Sequence, residues 1–132
     1  MDDRRVELCK YRMEQAKESL KASEIMRDNG MLKDSINRSY YAAFYAIKAV
    51  LALDEVDFKR HKDVVAYFNK EYVAKEKFSR ELGRMIAKLQ QLREKSDYDD
   101  FFLASVEQAE QQLLSSKKII EDVEKFISEV DM

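Results

Sequence analysis

The chain has 132 residues, and its 24 Lys plus Arg against 26 Asp plus Glu give a formal net charge of −2, so it lacks the basic excess of a free-standing nucleic-acid binder. Two glycines, no proline, one cysteine and one histidine argue against turn-rich β and α/β classes, an intramolecular disulfide, and a zinc site of His and Cys. An apolar share of 45% is enough for a core, and the whole of 1–132 is expected to form one all-α domain.

Helix-period patterns divide the chain into five segments. The first runs from about Asp3 to Asn29, with Val6, Cys9, Met13, Ala16, Leu20 and Ser23 alternating three and four apart on one stripe. Asn29-Gly30 supplies a left-handed stop. A second helix is expected from near Lys33 to around Asp54. A third starts near Arg60 and carries Val64, Val65, Phe68 and Tyr72. The fourth starts around Phe78 and carries Leu82, Met85, Ile86, Leu89 and Leu92. The last and longest is expected from about Asp100 to Val130, with a stripe of Val106, Ala109, Leu113, Ser116, Ile120, Val123, Ile127 and Val130. Neither a Gly/Ser or Pro linker nor an internal repeat interrupts this pattern. It reads as a helical bundle.

Within the second helix, Tyr40 to Ile47 is apolar or aromatic around its whole circumference. Such a helix either lies at the centre of the bundle or turns one face to another chain; the second option motivates a homodimer. The longest apolar stretch, Tyr40 to Leu53, has 14 positions and contains Lys48, against about 20 apolar residues for a membrane span. The N-terminus has no signal-peptide apolar block. A cytoplasmic protein without a membrane contact is expected.

Three clusters carry chemistry. On the second helix, Arg38, Tyr41 and Tyr45 share one ridge, while Tyr40, Phe44, Ile47 and Leu51 share another that reads as core. A guanidinium beside two phenols can hold a phosphate or carboxylate and stack a base; equally, the arginine can pack its stem over tyrosines and pair with an acid. His61 lies in Phe58-Lys59-Arg60-His61-Lys62-Asp63, where basic side chains at a helix start oppose the dipole and suggest a bound anion. The competing reading has His61 capping or packing near Asp57. The third cluster, Arg93-Glu94-Lys95-Ser96-Asp97-Tyr98-Asp99-Asp100, offers Ser96, Asp97 or Asp99 as a cap for the last helix. Ligand spacing for a metal at Asp97, Asp99 and Asp100 is lacking. Neither a catalytic triad nor a glycine-rich phosphate loop stands out, and no cofactor is expected.

Taken in order, these clusters resemble the HEPN superfamily of small helical proteins, and more narrowly its prokaryotic subfamily encoded beside minimal nucleotidyltransferases. The residues that carry the resemblance are Arg38-Ser39-Tyr40-Tyr41-Ala42-Ala43-Phe44, then His61 with Val64 and Phe68, then Arg93, Asp97 and Tyr98. It covers nearly the whole chain, and the specificity lies in the set. The resemblance implies a four- to five-helix up-and-down bundle, here five helices closing on a long C-terminal one, that dimerises through helix faces. The family's ribonucleases use an arginine followed after four to six residues by a histidine, two such motifs meeting across the dimer to cleave RNA. In this sequence Tyr98 stands five positions after Arg93, at the place of the shortest-spacing histidine, and a phenol keeps its proton at neutral pH.

Three functions are compatible with that reading. The first is a non-catalytic partner of a nucleotidyltransferase in a toxin–antitoxin-like or nucleotide-handling pair. A metal-independent ribonuclease with a rearranged site, using His61, Arg93 and Tyr98, is the second. The third is a helical dimeric interaction scaffold. Arg38, Tyr41, His61, Arg93, Asp97 and Tyr98 are the expected nucleotide- or phosphate-binding residues, and the expected partners are a nucleotidyltransferase and a nucleotide or RNA, with no DNA specificity evident. The acidic balance weighs against the ribonuclease, since RNA contacts neutralise phosphates.

Overall fold

The computed structural model describes residues 3–130, and among them it is built from α1 (Asp3–Asp28), α2 (Leu32–Leu53), α3 (His61–Phe68), α4 (Arg80–Tyr98) and α5 (Val106–Glu129), without a strand. Gly30 takes the left-handed conformation (φ 75°) expected of the Asn29-Gly30 stop. The amide of Met31 then reaches back to the carbonyl of Met26 at 2.8 Å, which closes α1 as a Schellman turn.

Side-chain bonds set the direction of each helix. Arg5 reaches the carbonyl of Leu53, Arg12 that of Lys48, and Ser23 that of Ser35, at 3.1, 2.8 and 2.8 Å, so α1 and α2 run antiparallel. Arg27–Glu110 and Lys17–Glu124 pairs make α5 antiparallel to α1. Leu92 shares a small apolar cluster with Ile36 and Ala109, while Phe78, just before α4 begins, packs on Phe126 with rings tilted and centroids 5.0 Å apart. The long helices therefore alternate up and down.

At the centre lies α2. Ala42, Ala46, Ala49 and Val50 are fully buried, and Ala43 is only 2% exposed. Small residues let α1 approach closely, and there Ser23, Ser35 and Ser39 bond to one another while Ser116 of α5 donates to the Ser39 carbonyl at 2.8 Å. Hydroxyls are tolerated in this core because each has a partner. The apolar stretch of Tyr40 to Ile47 is thus packed mainly by α1, α3, α4 and α5 of the same chain, with Tyr41 and Tyr45 left half-buried, so α2 is the central helix of the bundle.

Two boundaries and one cap differ from expectation. The third segment is not one helix to Tyr72: α3 ends at Phe68 and continues as a π-helical turn over Asn69–Val73. That turn presses Val73 against Gly83, where a Cβ would stand 3.2 Å from Val73 Cγ1. The last helix starts at Val106, not near Asp100, and its cap is Ser105 rather than Ser96, Asp97 or Asp99. Ser105 and Gln108 form a reciprocal capping box, each side chain bonding the other's amide at 3.0 Å. Before it, residues 99–105 are non-helical, with Phe102 and Ala104 packed on Ile36, Leu92 and Ala109 and Phe101 and Leu103 facing outward, 93% and 87% exposed. An alternating in–out pattern is the period of extended chain, not helix. No helix among the described residues is long and apolar enough to cross a membrane.

Candidate anion site between α2, α3 and α4

Where α4 crosses α2, the guanidinium of Arg93 lies over two tyrosine rings, 5.3 Å from the Tyr40 centroid and 5.7 Å from that of Tyr41. Its Nη2 points at the Tyr41 hydroxyl at 3.4 Å, long for such a bond. Its Nε lies 3.0 Å from Asp97 Oδ2, yet this buried N–H is not directed at any acceptor among the described residues. Proximity without alignment gives Coulomb attraction but not a full hydrogen bond. Arg93 is therefore a half-buried cation with donor capacity to spare.

His61 opens α3 against the same aromatics. Its ring stacks on Phe44 with centroids 4.1 Å apart, and its Nδ1 meets the Tyr40 hydroxyl at 3.0 Å. Burial, with the positive charges of Arg93 and Lys48 added, lowers the His61 pKa below its ordinary value. Burial likewise raises the Tyr40 pKa, with the Arg93 charge opposing it in part. The phenol is thus held protonated and the imidazole tends to be neutral, so they form a hydrogen-bonded pair of uncharged groups beneath a cation.

The structure thus draws Tyr41, His61, Arg93 and Asp97 together, and it adds Tyr40 and Phe44, which the helical ridge had assigned to plain core. A sequence signal for them existed: aromatics at i and i+4 on a buried helix, with one histidine in the chain. What the spacing does not reveal is that α3 starts over that ridge. Two expected residues stand apart from these contacts. Arg38 is exposed and has no hydrogen bond, ion pair or ring contact among the described residues. Tyr98 is 77% exposed, because five residues on a helix turn it about 140° away from Arg93. Both Tyr98 and Arg93 nonetheless line one open cleft of about 550 Å³ with Glu94, Lys95 and Asp99.

The bland alternatives divide. His61 does not pack on Asp57, which instead accepts from the Phe58 amide and pairs with Arg12 and Lys48. The basic start of α3 is partly answered by its own chain, since Arg60 pairs with Asp63 at 2.9 Å. Among the described residues, no three His, Cys, Asp or Glu side chains are grouped to hold a metal ion.

Comparison with known proteins settles the family: the HEPN domain matches residues 9–126. The chain belongs to the HEPN family. This HEPN chain is 28% identical over 123 residues to a UPF0332 protein of Thermotoga maritima, covering 93% of each chain. It is 30% identical to two proteins of Methanocaldococcus jannaschii, each named as a candidate toxin. The first match covers 89% of this chain and 87% of the relative. For the second, the shares are 87% and 78%.

Proposed function

We propose that this HEPN protein is the non-cleaving member of a toxin–antitoxin-like pair, holding a phosphate of a nucleotide or RNA at Arg93 and working with a nucleotidyltransferase partner. The observation that carries the anion site is the Arg93 guanidinium: charged, half-buried, backed by the Tyr40 and Tyr41 faces, and with an Nε donor lacking an aligned acceptor. A guanidinium in such a position gains from bidentate oxygen acceptors that water or a phosphate supplies. The toxin-like role is supported by the two relatives named as candidate toxins. The nucleotidyltransferase rests on the resemblance to the subfamily encoded beside such enzymes. Arg38 and Tyr98 belong in this proposal as outer contacts for a longer ligand, since both are exposed. A cytoplasmic location and a homodimer complete it. Support for the homodimer passes from α2 to the outward-facing Phe101, Leu103 and Val106, because large apolar side chains exposed together mark contact surfaces.

The direct test is binding of a 5′-phosphorylated single-stranded oligouridylate carrying a 3′ fluorophore, read by anisotropy. Affinity should fall steeply with added salt and fall at least tenfold in Arg93→Ala. Salt-insensitive binding, or binding retained in Arg93→Ala, would contradict the proposal.

One observation favours the rearranged ribonuclease: His61 and Arg93 do share the Tyr40 ring, at 5.9 and 5.3 Å. Against it, Nδ1 of His61 is occupied by Tyr40 and its face by Phe44, and Tyr98 is turned away. Proton transfer to RNA would have to use Nε2 alone.

A further inference from the structure

Asp97 flanks the Arg93 guanidinium. It lies one turn after Arg93 on α4, and its Oδ2 approaches Nε at 3.0 Å. Both side chains are partly covered, 19% and 31% exposed, so their attraction is screened less than that of a pair in open water. The carboxylate neutralises the guanidinium, yet the buried Nε–H does not point at it. Asp97 therefore supplies charge without filling the donor. A positioning residue would be expected to do the reverse, with an aligned bond that fixes the fork.

We propose that Asp97 is an internal competitor for the Arg93 site: an anion binds by displacing this carboxylate, and the site discriminates against ligands too weakly charged to do so. The proposal rests on the reading of Arg93 as an anion site and adds a determinant of its specificity. Displacement costs little conformationally, since Asp97 is one residue from the end of α4 and can rotate its side chain toward the open cleft shared by Arg93, Tyr98 and Asp99. A phosphate gains two aligned donors in exchange for one misaligned contact. Ligands with a dianionic terminal phosphate are favoured over phosphodiesters, because the competing carboxylate sets a threshold of charge. This places the ends of nucleic acids, and nucleotides, above internal linkages.

The test compares inorganic pyrophosphate binding by calorimetry in the wild-type chain, Asp97→Asn, Asp100→Asn and Arg93→Ala. Asparagine preserves the shape of Asp97 while removing its charge. Asp97→Asn should bind pyrophosphate about three- to tenfold more tightly, the scale of a partly buried ion pair. Asp100→Asn makes the same charge change on an exposed residue without contact to Arg93, and it should stay close to wild type. Unchanged or weaker binding in Asp97→Asn would overturn the competitor and leave a positioning role. An equal gain in Asp100→Asn would overturn it too, as a general effect of charge. Failure of the underlying site has a different signature: binding that Arg93→Ala does not reduce.

Discussion

At the scale of single residues, the site is a cation and a histidine placed against one aromatic surface. His61 faces Tyr40, Tyr41, Phe44 and Lys48 of α2 and Arg93 of α4, and among these only the positive groups and burial bear on its charge. They lower its pKa from the ordinary 6.5. The unfolded chain therefore takes up this proton more readily than the folded one, and stability declines as pH falls below 6.5 toward the folded value. Above 6.5 the group contributes nothing to the pH dependence. Since His61 is the single histidine, His61→Phe, which preserves an aromatic ring on Phe44, should remove the drop in Tm between about pH 7.5 and about pH 5.5. Parallel losses in both proteins would contradict the lowered pKa. Arg93 and His61 were legible as candidates from type and position alone. Tyr40 and Phe44 were not, because a residue can be core by burial and part of a site by contact, and periodicity reports only the first.

At the scale of elements, the four long helices and the Asn29-Gly30 stop follow from apolar spacing and one left-handed turn. The misread boundaries have a common cause. Phe101, Phe102, Leu103 and Val106 are apolar enough to continue a helix, yet Ser105 with Gln108 offers a stronger start, and the preceding residues then alternate as extended chain. The π-helical turn at Asn69–Val73 has a similar origin. An α-helix continued through Tyr72 keeps a stripe, but the wider turn lets Val73 meet Gly83 of α4 and lets Tyr72 donate to Asp54 Oδ2 at 2.6 Å. Such choices are made by tertiary partners that a local pattern does not contain. The position of α3 matters most for function: its first residue, His61, is set by the loop from Asp54, and that loop is anchored by Tyr67 and Tyr72 on one carboxylate.

At the scale of the whole molecule, α2 is packed mainly by its own chain, with Tyr41 and Tyr45 half-buried, and the most exposed large apolar side chains are Phe101 and Leu103, in the segment before α5. Phe101 and Leu103 cannot turn inward, because Phe102 and Ala104 already hold that segment against Ile36 and Leu92. Sedimentation at micromolar concentration should show a dimer, and Phe101→Ser with Leu103→Ser should shift it to monomer. A clean wild-type monomer would remove the homodimer from the proposal. We propose that this HEPN protein binds phosphate without cleaving RNA. The resemblance to the family's ribonucleases puts Tyr98 at the place of their histidine, and His61 is engaged by Tyr40 and Phe44. The measurement that bears on it most directly is incubation of the purified protein with structured and single-stranded RNA at neutral pH without metal, alongside His61→Ala. Intact RNA in both is the predicted result; cleavage by the wild type that disappears in His61→Ala would contradict the account and establish the rearranged ribonuclease in its place.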